Sequence, residues 1–172
     1  YIGMDHFAKP DDELNVARSH RTLQRNFQGY STHANTSIYG AGMSAISQTS
    51  NGYFQNEKDL NAYYRLVEGS DSPVIRGCIL TAEDEIRRMA IMNLMCNLGI
   101  RFHDFDSRFD ISSKQYFSAE IAMLDSFAED QLVKVDDEGI VVTDKGRLFL
   151  RNIAMCFDAY AEKDSSRFSK TV

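Results

Sequence analysis

Two aromatic, glycine-punctuated segments constrain this chain most: Arg25-Asn-Phe-Gln-Gly-Tyr30, and Tyr39-Gly-Ala-Gly-Met-Ser-Ala-Ile-Ser47. Neither has the apolar spacing of an amphipathic helix, and neither is polar enough for an ordinary surface loop. Asn26, Phe27, Gln28 and Tyr30 join flat apolar rings to neutral hydrogen-bonding groups, a mixture that suits an organic ligand carrying a ring and several polar atoms. Gly40, Gly42 and the run Met43 to Ile46 predict a buried strand entered through a turn. The residues alone leave a second reading open, in which both segments are core strands whose polar groups tie down neighbouring loops.

With 172 residues, 43% of them hydrophobic, the chain can build one ordinary domain or two small ones. A net charge of −6 argues against a broad nucleic-acid footprint. No apolar run approaches the length of a membrane-spanning helix, and no secretory signal is visible. The three cysteines, Cys78, Cys96 and Cys156, are odd in number and widely spaced. They predict a reducing, cytoplasmic setting, no disulfide framework and no local metal site. Cys96 and Cys156 fall inside apolar helical patterns and read as small core residues. The chain opens at Tyr1 rather than methionine, directly into an apolar run, as if cut from a longer protein.

Taken in order, Tyr1 to Ala8 reads as a short strand ending at Asp5 and His6, where a polar pair would be well placed for chemistry in an α/β fold. Pro10 and the acids after it start a helix with a thin stripe of Leu14, Ala17 and Leu23. Residues 31–37 form a Ser/Thr/Asn-rich loop holding His33. Asn56 caps a helix, with Asp59 three residues on, and Leu60, Tyr63, Tyr64 and Val67 give it an amphipathic core face. Glu68 to Pro73 is a linker, which divides the chain into regions 1–70 and 71–172.

Beyond the linker, Thr81 and Asp84 cap a helix striped by Ile86, Met89, Ala90, Leu94 and Leu98 and ended by Gly99. A short helix near 104–109 comes next. Ser112 or Ser113 then opens a longer one, with Phe117, Ile121, Leu124 and Ala128 inward. A hairpin over 132–143 turns at Asp136 to Gly139. Thr143 caps a last helix reaching about Tyr160, with Leu150, Ile153, Ala154 and Phe157 inward, and a polar tail begins at Lys163. Three helices and a hairpin is the order of a winged helix. The third helix and the hairpin turn are acidic, however, and a duplex would repel them.

The segments Ile2 to Ala8, Arg25 to Tyr30, Gly42 to Ser47, Gln55-Asn56 with Tyr63-Tyr64, and Gly146-Arg-Leu with Arg151-Asn-Ile153 resemble the oxygen-independent coproporphyrinogen III oxidases, a radical S-adenosylmethionine (SAM) family of haem synthesis. The resemblance runs through nearly the whole chain in one order and points to the family's C-terminal part. It implies an α+β, mostly helical fold: the end of a partial (β/α) barrel over 1–70, then a helical C-terminal domain over 71–172 with a winged-helix-like β-hairpin. It also implies SAM and a 4Fe–4S cluster in the full-length enzyme. Through a 5′-deoxyadenosyl radical, two propionates of coproporphyrinogen III lose carbon dioxide to become vinyl groups, and an unidentified acceptor takes the electrons. Phe27, Gln28 and Ile46 match family positions associated with SAM. Asp5 and His6 are candidates for substrate-side polar contacts.

One departure is large. The family's cluster motif, Cys-x3-Cys-x2-Cys, has no counterpart here. The chain by itself is therefore expected to hold no cluster or cofactor and to be inactive, and the barrel end to expose apolar surface. Two alternatives stand beside this reading: a stand-alone winged-helix-like module that binds a partner protein, and a haem-handling paralogue of the same family.

Overall fold

A computed structural model describes residues 1–3, 6–34 and 36–161; the predicted polar tail from Lys163 lies outside them. The fold is α+β and divides into two units. One comprises Tyr1–Thr32 together with the described residues from Ile86 onward, and the other is His33–Glu85. Every strand pairing among the described residues is antiparallel.

The first unit begins with a tight reversal. Gly3 and His6 form an isolated antiparallel bridge in place of the expected strand. Helix α1, Glu13–Ser19, is capped by Asp12, whose side chain accepts from the Leu14 N–H at 2.9 Å. Only Ala17 of this helix is buried, while Leu23 just beyond it is fully enclosed. Strands β1 (Gln24–Asn26) and β2 (Gly29–Ser31) come next as a hairpin whose turn is Phe27 and Gln28.

Helix α3 (Ala82–Asn97) is the spine of this unit, burying Ile86, Ala90, Leu94, Met95 and Cys96. Its start has the expected reciprocal cap: the Thr81 N–H donates to Asp84 Oδ2 at 2.9 Å, and the Asp84 N–H to Thr81 Oγ1 at 3.2 Å. Its end differs from expectation. Leu98, at φ 56°, makes the left-handed turn, and Gly99 instead opens a strand, β6 (Gly99–Arg101). Glycine is needed there for close approach, since a Cβ would sit 2.4 Å from the Ile140 carbonyl oxygen.

Helix α4, Phe102–Phe109, leads into three short helical segments, α5 (Ser113–Tyr116), α6 (Ser118–Met123) and α7 (Asp125–Glu129), where one continuous helix was expected. The breaks fall at Phe117 and Leu124, both fully buried. With both of those side chains enclosed, Ala128 faces solvent and Phe127 is half-buried in its place. Strands β7 (Val133–Val135) and β8 (Gly139–Val142) form the predicted hairpin. Asp136 Oδ1 holds its turn by accepting from the N–H groups of Glu138 and Gly139. β6 pairs with β8 on the other side and completes a three-stranded sheet, β6-β8-β7.

Thr143 does accept from the Gly146 N–H at 3.0 Å. The chain then makes a 3-10 turn, Gly146–Phe149, and a short helix α8, Leu150–Met155, in place of one helix to Tyr160. Leu150, Ile153, Ala154 and Phe157 are buried as the spacing predicted. The Phe117 ring meets Phe105, Tyr116 and Phe157 edge-on at centroid distances of 5.9, 5.0 and 5.3 Å. Next to this aromatic centre, Arg87 Nη1 donates to Glu120 Oε1 at 2.7 Å and to the Phe157 carbonyl at 3.3 Å.

The second unit is a three-stranded meander, β3 (Ile46–Gln48), β4 (Gly52–Asn56) and β5 (Val74–Ile79), with helix α2, Leu60–Glu68, between its last two strands. Met43 and Ser44 form a turn, Ser44 with φ 59°, so the buried strand expected over 43–46 begins only at Ile46. Asn56 is not a helix cap. It is buried at the end of β4 and donates to the Gly42 carbonyl at 2.9 Å, while Asp59 caps α2. No residue of α2 is buried: Leu60, Tyr64 and Val67, expected as a core face, are about half exposed, at 49%, 53% and 46%. Every residue of β5 is at least partly exposed as well.

Candidate functional site

The β1–β2 hairpin presents Phe27 and Gln28 at its tip. A two-residue loop closes this tightly because Asn26 Oδ1 accepts from the Gln28 N–H at 2.8 Å. Gly29, at φ +132°, then admits the chain to β2. A Cβ on Gly29 would lie 2.7 Å from His6 Nε2, so glycine is required there for both conformation and space. Phe27 is 61% exposed and Gln28 is exposed, which leaves a flat ring and a carboxamide side by side at the surface.

Behind the tip the hairpin is anchored. Tyr30 donates its hydroxyl to the Met95 carbonyl at 3.1 Å, and the Arg25 N–H donates to Met92 Sδ at 3.3 Å, both on α3. His6 meets the Tyr30 ring edge-on at 5.0 Å. Arg25 stands opposite Tyr30 in the register, its Cζ 5.7 Å from the ring centroid. The N-terminal reversal, the hairpin and α3 thus converge on Tyr30.

The predicted site residues separate accordingly. Phe27, Gln28 and His6 lie together in the first unit, Asp5 lies outside the described residues, and Ile46 belongs to the second unit. Ile46 is half-buried and opposite Gln55, and its neighbour Ser47 accepts from the Gly40 N–H at 3.0 Å. The role of Tyr30 as an anchor, and the environment of Arg25, could not be read from the sequence, because their partners lie 65 and 67 positions away on α3.

Among the described residues no three His, Cys, Asp or Glu side chains converge as metal ligands would. Cys78 is exposed, Cys96 is buried and Cys156 half-buried. Burial pushes the Cys96 thiol up to about 12 and raises that of Cys156 too, opposite to what a thiolate ligand needs. These cysteines do not fit an iron–sulfur cluster. The exposed ring and carboxamide at the hairpin tip do fit contacts to an adenosyl or amino-acid group.

A family model described as the HemN C-terminal domain matches residues 80–149. They run from the end of β5 through α3, the β6-β8-β7 sheet and the 3-10 turn, so the Phe27–Gln28 tip lies outside them. Along its full length, the chain is similar to the oxygen-independent coproporphyrinogen III oxidases of Salmonella typhimurium, at 44% identity, and Pseudomonas aeruginosa, at 42%. In both it corresponds to 38% of the relative's length. The fold matches the solved structure of coproporphyrinogen III oxidase (HemN) from Escherichia coli, a radical SAM enzyme. The TM-score is 0.90 at 47% identity, over 92% of this chain and 37% of that one. No described helix is long and apolar enough to cross a membrane.

Proposed function

We propose that this chain serves as the HemN C-terminal part of an oxygen-independent coproporphyrinogen III oxidase of the cytoplasm, converting two propionates of coproporphyrinogen III to vinyl groups. The observation that carries the reading is similarity along the whole chain to oxidases of that name, together with the fold match at TM-score 0.90.

In this reading Phe27 and Gln28 contact SAM, Phe27 by stacking and Gln28 by hydrogen bonding; Ile46, in the second unit, is a separate candidate for an apolar contact to SAM. SAM and the iron–sulfur cluster, when bound, supply the radical chemistry. This chain's residues orient the ligand and exclude water. His6, and Asp5 with it, serve the substrate side, His6 from its place against Tyr30. The cluster is held by residues beyond this chain, so the chain alone neither binds it nor turns over; the misfit of the three cysteines supports this. Residues 1–70 form the end of a partial (β/α) barrel, and the exposed apolar residues of α2 and β5 suit a surface that the rest of the barrel would cover. The helices with the β6-β8-β7 sheet form a winged-helix-like unit that binds no nucleic acid. Its turn is acidic, and Lys114, the basic residue of α5, is already paired with Asp137.

The test is a chimera in which this chain replaces the corresponding part of the Escherichia coli enzyme, assayed anaerobically for vinyl-group formation. The chimera should turn over, and Phe27→Ala or Gln28→Ala should weaken SAM binding. A folded chimera that binds cluster and SAM yet forms no vinyl group would refute the assignment.

A further inference from the structure

Arg25 is a half-buried cation without an anion among the described residues. Its Nε is buried and makes no hydrogen bond to a described residue, and no described carboxylate pairs with its guanidinium. The Cys96 thiol is near enough to feel the charge, but burial keeps it protonated, so it supplies no counter-charge. Desolvating a guanidinium and leaving an N–H unpaired is costly. The fold nevertheless fixes this one firmly. The Tyr30 ring lies beside it, Tyr30 is tied to Met95, and the Arg25 backbone is tied to Met92. A cation held this way, two residues from an exposed ring and three from a carboxamide, is arranged for an acceptor that arrives from outside.

We propose that Arg25 binds a carboxylate of the ligand that seats on the Phe27–Gln28 tip, with Tyr30 holding the guanidinium in place. The planar fork of arginine matches a carboxylate with two parallel N–H bonds, which lysine does not reproduce. The inference rests on the reading of the tip as a ligand wall. Two compounds in that reading carry the group: SAM, through its methionyl carboxylate, and the tetrapyrrole, through its propionates.

The test is a titration of the chimera described above, labelled with 15N-arginine, with the Arg25 Nε–H signal assigned by its loss in Arg25→Lys. Four probes are used: SAM, decarboxylated SAM, coproporphyrin III (the air-stable oxidised form of the tetrapyrrole) and its tetramethyl ester. The expected result is a saturable shift of the Arg25 signal with one acid and none with its carboxylate-free counterpart. Arg25→Gln should bind that acid about ten- to a hundredfold more weakly, the loss of a charge-assisted hydrogen bond. A response to SAM alone assigns the methionyl carboxylate, and a response to the porphyrin alone assigns a propionate. Thermal melts establish that Arg25→Gln folds; if it does not, Arg25→Lys, which keeps the charge and loses the fork, is read for partial loss. If an acid binds and is weakened by Phe27→Ala, while the Arg25 signal and Arg25→Gln affinity are unchanged, the Arg25 inference falls and the ligand wall stands. If no probe binds at all, both fall.

Discussion

The Arg87–Glu120 pair makes a demanding test of how the first unit is held. Arg87 sits on α3 and Glu120 on α6, joined at 2.7 Å with side-chain exposures of only 18% and 11%. Breaking a fully buried pair by removing one partner costs roughly 3–5 kcal/mol, because the survivor is left charged and desolvated. Residual exposure here places Glu120→Gln near the low end, about 3 kcal/mol. Arg87→Met should cost about 1 kcal/mol more, since it also removes the donor to the Phe157 carbonyl. The double variant leaves no orphaned charge, so it should fall short of the summed single effects by about 1–3 kcal/mol. Urea denaturation monitored by far-UV circular dichroism measures all four proteins, and unchanged slopes would license the comparison. Additive losses, or single losses under about 0.5 kcal/mol, would refute the view that desolvation of a mutually compensated pair governs this contact.

The same physics sets three further expectations. Ser113 donates its N–H to Asp106 at 2.7 Å and its hydroxyl to the same oxygen. These bonds hold the Asp106 carboxyl below the usual carboxylate range, so they stabilise the fold above the unfolded carboxyl pKa and lose effect as pH falls through the folded one. Thermal melts of Ser113→Ala against the parent should therefore converge as pH drops below about 4, and a gap independent of pH would count against the linkage. In thiol labelling of the folded chain near neutral pH, Cys78 should react at once and Cys96 only on unfolding; prompt loss of all three thiols would contradict the burial of Cys96. Val67→Lys on the exposed face of α2 should change stability by less than about 0.5 kcal/mol, and a loss above about 1.5 kcal/mol would mean that this face is covered in the isolated chain.

Local chemistry was legible in the sequence wherever cause and effect lie within a turn or two. The Thr81–Asp84 cap, the Asp136–Gly139 turn and the inward spacing of Leu150, Ile153, Ala154 and Phe157 all appeared where their residues indicated. Periodicity failed where packing overrode it. The apolar stripe from Phe117 to Ala128 predicted one helix, but enclosing both Phe117 and Leu124 broke it into three. Leu60, Tyr64 and Val67 have the spacing of a core face, and spacing cannot say whether anything lies opposite. β6 went unseen because it has only three residues, and β5 because it gains its ladder from β4, on the far side of helix α2 in the sequence.

The hairpin tip shows the division most clearly. Composition alone set Phe27 and Gln28 apart as a ring beside a carboxamide, and their residue types are what qualify them for a ligand. That Arg25 and Tyr30 stand opposite each other, that His6 forbids any side chain on Gly29, and that no described carboxylate reaches Arg25 are facts of tertiary structure. Charge balance is a property of neighbours in space: the chain has 25 acidic residues, yet none of the described ones is brought to this guanidinium.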